Sequence, residues 1–371
     1  MHRGIVVPYE VVLVVGGAAL GFLPIREALL PAPELVLFIF IPPLLFQGAW
    51  TFDAREFLER WQPITLLALA GTVITAALVS AGVHRLWHAS WETSLLFGAI
   101  VSATDPIAVL AVFRRLGAPA GLAAIIEGES LLNDGVAVVL FRVFVATAVG
   151  GTLIAPLAAA WMFTAVTLVG VACGAAVGIL TIFVLRLARH PAVELVLTLF
   201  VAYGSYALAE RVHGSGIFAV LAAALLMNAR EHRVSSRRAV TFSWDRIAFV
   251  ANAVLWVVVG LQIDRGLVAG AAVPVALAVL ATYVARSIAV LALIPVLPRH
   301  RRPPRRWRLV LIWGGLRGAI SMALALSLPL TIAGRGLIVA ATAGVVFVTL
   351  VLGGVTMQPL LARLGLTARA T

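Results

Sequence analysis

Apolar blocks of about 20 residues, long enough to cross a bilayer as helices, recur along this chain between short polar breaks. They lie near 5–24, 34–50, 63–83, 94–113, 121–141, 157–185, 193–209, 214–228, 246–262, 267–297, 307–329 and 336–361. Those at 34–50 and 214–228 are short, and the overlong one at 267–297 is expected to begin several residues later. The pattern predicts an all-α polytopic membrane protein of about twelve transmembrane helices. Residues 1–371 are expected to form a single membrane domain with no soluble domain. The first block follows Arg3 closely but is long enough to span, with no A-x-A-like site after it, so no cleavable signal peptide is expected.

Composition agrees: 62% of residues are apolar and 12% charged, against roughly half and a quarter in soluble domains. The net charge of +12 first suggests nucleic acid as a partner. The placement of the arginines argues otherwise. All 28 basic residues are arginine, and 20 fall on one side when loops are sorted alternately: Arg3, Arg55, Arg60, Arg114, Arg115, Arg186, Arg189, Arg230, Arg233, Arg237, Arg238, Arg246, the run from Arg299 to Arg308, Arg363 and Arg369. The other side holds 6: Arg26, Arg85, Arg142, Arg211, Arg265 and Arg335. That asymmetry marks the richer side, with both termini, as cytoplasmic, and nucleic acid is not needed as a partner. Arginine without lysine and abundant alanine fit a GC-rich bacterial genome, hence a bacterial inner (plasma) membrane. The lone Cys173 is mid-span, which leaves no internal disulfide or cysteine metal site.

A charge at the bilayer centre costs about 2.5–3.5 kcal/mol on insertion scales, so charged residues inside spans are functional candidates. They are Asp105, Glu127, Glu129, Asp134, Arg286 and Arg317, while Glu10, Glu34 and Glu194 near span starts read as interfacial. The seven histidines all fall in loops or at span ends, so a carried proton is expected on a carboxylate. In span four, Pro106 lacks an N–H and disfavours helix at Asp105, which frees backbone carbonyls near Ser102 to Thr104. Such backbone at membrane depth is tolerated only when buried in protein or lining a cavity; a simple proline kink is the alternative.

Span five reads Glu127-Gly-Glu-Ser-Leu-Leu-Asn-Asp-Gly135. On a helix Glu127, Ser130 and Asp134 form one stripe, and Glu129 and Asn133 an adjacent one. Oxygen groups of this kind suit hard cations; a hydrogen-bond network gluing helices would explain Ser130 and Asn133 but not the carboxylates. Glu127, nearest the cytoplasmic start, has an interfacial reading too. Arg286 in span ten needs a carboxylate, and Glu129 is the natural candidate. Three glycines around Arg317 in Trp313-Gly-Gly-Leu-Arg-Gly-Ala319 suggest a second interruption in span eleven. Interrupted helices in corresponding positions point to an inverted-repeat transporter, if spans three to five mirror ten to twelve.

Four stretches then resemble a known group: Phe40-Ile-Pro-Pro-Leu-Leu-Phe46, Ser102-Ala-Thr-Asp-Pro106, Glu127 to Gly135 and Trp313 to Ala319. In this order and over nearly the whole chain they resemble the monovalent cation:proton antiporter family, in its sodium/proton exchanger, bacterial NhaP-like branch. The resemblance implies a fold with two crossed interrupted helices near 94–113 and 307–329, core helices around 63–141 and 267–361, dimerisation helices from the other spans, and a homodimer in lipid. It implies that Asp134 binds the cation or protons, with Thr104, Ser130 and Asp105 completing or supporting a Na+ site. Glu129 would pair with Arg286, and Asn133 would take the place of a second aspartate found in electrogenic relatives, which points to one-for-one exchange. Arg317 and Pro106 would have structural or conformational roles. The family usually has a helix before the first span seen here and often a long cytoplasmic tail.

The expected function is secondary antiport of Na+, Li+ or K+ against H+, by alternating access and competition at Asp134. The protein is not expected to be an enzyme, and no cofactor is expected beyond the transported ions; no Walker-type loop suggests a nucleotide-driven pump. The rivals are a K+/H+ antiporter of the same fold, a cation channel lined by the same carboxylates, and a structural scaffold.

Overall fold

The computed structural model describes residues 9–21, 31–150, 155–185, 190–229, 236–262 and 265–367. Arg3, Arg26, Arg186, Arg189, Arg230, Arg233, Arg369, His2 and His232, used above, lie outside the described residues, as do the side chains of Glu34 and Arg265. Among the described residues the regular structure is entirely helical. In chain order the helices are α1 (Tyr9–Leu20), α2 (Pro33–Thr51), α3 (Ala54–Leu66), α4 (Thr72–Trp87), α5 (Trp91–Ser102), α6 (Ile107–Leu116), α7 (Ala120–Gly150) and α8 (Pro156–Val184). There follow α9 (Pro191–Arg211), α10 (Gly216–Asn228), α11 (Arg237–Leu261), α12 (Arg265–Leu293), α13 (Arg305–Trp313), α14 (Ala319–Leu326) and α15 (Arg335–Arg363).

Among the described residues eight segments are long and apolar enough to cross a membrane, and α2 and α10 are shorter apolar helices. Together with α1 and the broken pair α13–α14, they account for the twelve stretches read from the sequence. The fourth and eleventh are the interrupted ones: α5 gives way to α6 across residues 103–106, and α13 to α14 across 314–318.

Boundaries moved where polar residues hide a helix from hydropathy. The third span starts at Ala54 rather than near 63. Asp53 caps it, accepting the N–H groups of Arg55 at 2.9 Å and Glu56 at 3.3 Å, as a short acidic side chain does at a helix N-terminus. A kink at Arg60 (φ −122°, ψ 17°) then separates the charged first turns from the apolar body, which continues through a π-turn at Leu67–Gly71 into α4. The fifth span runs on to Gly150. The tenth begins at Arg265, not later as its length suggested. Glu194, in the first turn of α9, is fully buried and accepts the N–H of Ser236, one residue before α11, at 2.9 Å. Glu10 is buried as well.

Small residues let the outer helices approach backbone to backbone, the usual means of helix association where lipid supplies no hydrophobic drive. α8 packs on α10 through Gly170, Gly174 and Gly178, facing Ser215, Ala219 and Ala223. α1 packs on α11 through Gly17 and Gly260, which face Val257 and Val14. The two broken helices and α7 are enclosed by α2, α4, α11, α12 and α15, so the interruptions lie inside protein.

Gly174 tests this packing. A Cβ there would strike the Ala219 carbonyl, whereas one on Gly150 meets nothing within 4 Å. Gly174→Leu is expected to lower stability by about 1–3 kcal/mol and Gly150→Ala to stay within about 0.5 kcal/mol of the parent, read by thermal unfolding in detergent. Equal effects would contradict the close crossing.

Candidate ion-binding site

The site grows from the two helix breaks. Pro106 cannot donate an N–H, and the backbone leaves the helix at Ala103 (φ −61°, ψ 141°). Four residues later α6 resumes. In the other break, the glycines of Gly314–Gly318 carry the chain from α13 to α14. The two breaks hydrogen-bond to each other: the Asp105 N–H donates to Leu316 O at 2.8 Å, and Ser321 Oγ donates to Ala103 O at 3.5 Å. They therefore cross in contact and satisfy part of each other's exposed backbone.

The half-helix ends left at the crossing carry partial charges. Two N-termini, those of α6 and α14, meet one carboxylate. Asp105 Oδ1 accepts the Ile107 N–H at 3.0 Å and Oδ2 the Ala319 N–H at 3.4 Å. Gly318 is fixed by this contact, because a Cβ there would collide with the Asp105 side chain. At the C-terminal end of α13 stands a cation. Arg286, from α12, donates Nε and Nη2 to Leu311 O at 3.2 and 2.9 Å. The same guanidinium holds Glu129 of α7, Nη2 to Oε2 at 2.8 Å and Nη1 to Oε1. Both partners are buried. Arg317, between α13 and α14, is fully buried. It donates Nη1 to Gly315 O at 2.8 Å, and its own N–H goes to Thr349 Oγ1 at 3.1 Å.

α7 lies alongside, and its stripes sort its polar residues. On the stripe of Glu129, Asn133 is pinned to Thr104: Nδ2 donates to Thr104 Oγ1 at 2.7 Å, and Oδ1 accepts the Thr104 N–H at 3.4 Å. On the other stripe, Ser130 Oγ donates to Thr104 O at 2.5 Å. Asp134 is 6% exposed, and its Oδ1 has no hydrogen-bond partner among the described residues.

Glu127, Ser130 and Asp134 line a cavity of about 340 Å³, with Thr104, Asp105 and Pro106 beside them. Asn133, Glu129, Arg286 and Arg317 do not line it. The far wall comes from residues passed over in the sequence: Tyr9 of α1, Gln47 of α2, and Asp245 and Asn252 of α11. Gln47 Nε2 donates to Asp245 Oδ1 at 3.0 Å, and Asn252 Nδ2 to the Tyr9 hydroxyl at 2.9 Å. Gln47 and Asn252 are amides within apolar stretches, a weaker signal than a charge but the one that would have found this wall. The cavity runs toward Thr51 and Arg114, near the ends of α2 and α6, and Asp245 in the first half of α11. Its inner end therefore offers a buried carboxylate oxygen, a serine hydroxyl and a threonine, the hard oxygen donors that an alkali cation accepts.

Removing one member of a buried ion pair leaves an uncompensated charge, at a typical cost of about 3–5 kcal/mol. Glu129→Gln and Arg286→Gln are each expected to lose that much in thermal unfolding, and the double variant less than the sum. Additive losses would contradict a direct pair.

Against this geometry, comparison with known proteins is consistent throughout. The family model described as "Sodium/hydrogen exchanger, transmembrane" matches residues 1–363. The Na(+)/H(+) antiporter ApNhaP of Aphanothece halophytica is 36% identical over 367 residues, covering 97% of this chain and 70% of that one. The Na(+)/H(+) antiporter NhaP of Pseudomonas aeruginosa is 37% identical over 348 residues, covering 89% and 81%. The structure of the sodium proton antiporter MjNhaP1 from Methanocaldococcus jannaschii superposes with a TM-score of 0.82 over 96% of this chain and 92% of that one, at 19% identity, which shows a shared fold. With its two crossed breaks and its full-length family match, this multi-pass membrane chain belongs to the sodium/hydrogen exchanger family.

Proposed function

We propose that the chain exchanges Na+ for H+ across the membrane by alternating access, with the two ions competing for Asp134. The observation that carries this reading is the buried, unpartnered Oδ1 of Asp134 beside a cavity that Asp134 itself lines. Asp105 is held by two helix N-termini and Glu129 by Arg286. Glu127 and Asp134 both line the cavity, and Asp134 is the one with a buried oxygen left without a partner, with Ser130 Oγ and Thr104 as neutral donors on the same wall. A bound Na+ and a bound proton each neutralise one charge at the same place, so only one is held at a time. Since Asn133 adds no second charge, the exchange is one for one and electroneutral.

The cavity is lined by Arg114 at the end of α6, which the alternate-loop sorting puts on the arginine-rich side with Arg55, Arg60, Arg115, Arg237 and Arg238. If arginine marks the cytoplasm, that face and both termini are cytoplasmic and Asp134 is exposed inward, in the inner membrane of a bacterium. The helices within 63–141 and 267–361 form the moving core in this account. The remaining spans form a scaffold through which two copies pair. The outward row Leu157, Trp161, Leu168 and Leu180 on α8 suits lipid. A channel lined by the same carboxylates is disfavoured because the relatives that this chain resembles are named as antiporters.

In liposomes loaded with a pH dye, added Na+ is expected to move protons through the parent protein, and Asp134→Asn to reduce this to background. Unchanged exchange in that variant would overturn the assignment, and voltage-driven current without a counter-ion would favour the channel. Li+ and K+ arms of the same assay rank the cations.

Competition fixes the sign of the pH effect. Below the pH at which the site is half-protonated, each unit of acidification is expected to raise the half-saturating Na+ concentration about tenfold while leaving the maximal rate unchanged. A fall in maximal rate at constant half-saturation would show that proton and cation occupy separate groups.

A further inference from the structure

On α7 the cavity wall ends at Asp134: no later residue of that helix lines it, although α7 continues to Gly150. Beyond Asp134 two contacts fasten α7 to α9 and α10. At the residue next to Asp134, the ring of Phe218 from α10 lies against the backbone of Gly135, so closely that a Cβ there would come within 2.8 Å of the ring. Seven residues beyond Gly135, about 10 Å along the helix axis, Arg142 reaches the last turn of α9. Its Nη1 is 2.8 Å from the Glu210 carboxylate and its Nη2 is 3.4 Å from the Tyr206 hydroxyl. Glu210 also accepts the N–H of Gly216, the first residue of α10, at 2.9 Å. One carboxylate thereby joins the helix that bears Asp134 to the two helices that cover it. Arg142 had been counted with the loops of the arginine-poor side; it lies within α7.

The two ion pairs of α7 differ in kind. Glu129–Arg286 has side chains 2% and 6% exposed, whereas Arg142–Glu210 has them 29% and 32% exposed. A buried pair is costly to separate. A part-exposed pair is worth little in water, and its charges are rehydrated as they part. Alternating access requires a contact of the second kind on the closed side, because Asp134 cannot meet that side while the seal beside it is intact.

We propose that Arg142 and Glu210 are the latch of the second gate, with Phe218 on Gly135 as its inner seal. The latch is engaged while the cavity faces the arginine-rich side and parts when Asp134 is exposed to the other. This rests on the alternating-access reading above and assigns the residues that set its conformational balance.

The test uses the full chain in liposomes with Cys173→Ala and a reporter Val138→Cys. Val138 is buried one turn beyond Asp134 and outside the cavity wall. A membrane-impermeant maleimide is added from the Glu210 side. Arg142→Gln and Glu210→Gln are each expected to speed labelling about two- to fivefold, the range expected for a part-exposed pair. The double variant should label no faster than either alone, and the exchange Arg142→Glu with Glu210→Arg should restore slow labelling. Tyr206→Phe keeps the packing and removes one hydroxyl, so it should give a smaller increase even if a charge variant fails to fold. Unchanged labelling in these variants, or an increase that the charge exchange does not reverse, overturns the latch. Labelling reports exposure rather than transport, so normal exchange by Asp134→Asn would remove the functional reading without altering this result.

Discussion

A helix broken at membrane depth exposes N–H and C=O groups where no water is available to bind them, and each group left unsatisfied costs several kcal/mol. This chain has two such breaks, and their crossing is what the rest of the structure answers to. Asp105 takes the exposed N–H groups of both half-helices, Arg286 takes the end of α13, and the breaks bond to each other between Asp105 and Leu316. The charges that look out of place in an apolar span are the charges these ends require. Glu129 is then needed in turn, because Arg286 is buried.

The same constraint separates structural oxygens from available ones. Ser130 and Asn133 both reach Thr104, which fixes α7 against the break. Asn133 is committed on both its polar atoms. Asp134, one residue further and turned toward the cavity, is left with an oxygen that nothing in the protein binds. A carboxylate so placed is stable when it holds either a proton or a cation, and in the proposed exchange that choice is the chemistry. Because α7 also carries Gly135 and Arg142, the helix that bears the proposed ion site is the one whose far end is tied down.

Much of this was legible in the residues. Pro106 and the glycines around Arg317 located both interruptions, since each removes a reason to stay helical. Helical spacing separated Glu127, Ser130 and Asp134 from Glu129 and Asn133, and the structure places the first set along the cavity and the second against partners. That Arg286 needs a carboxylate followed from the cost of a lone buried charge, and Glu129, 157 positions away, was the natural candidate among the span carboxylates. Hydropathy failed where polarity and helix coincide: the charged turns after Asp53 and Arg142 within α7. The first are held locally, by the Asp53 cap and the Glu56–Arg60 pair, and the second by the distant Glu210, which sequence separation conceals. Gln47 and Asn252 escaped for a related reason, being neutral and therefore unremarked among apolar neighbours.

The central claim is that Na+ and H+ share Asp134. The most direct measurement is proton release on Na+ binding to the purified protein, by titration calorimetry in buffers of different ionisation enthalpy. At a pH where the site is protonated, about one proton should leave for each Na+ bound, as required when a cation and a proton hold the same ligand, and Asp134→Asn should release none. Na+ binding without proton release, or undiminished release from Asp134→Asn, would contradict it.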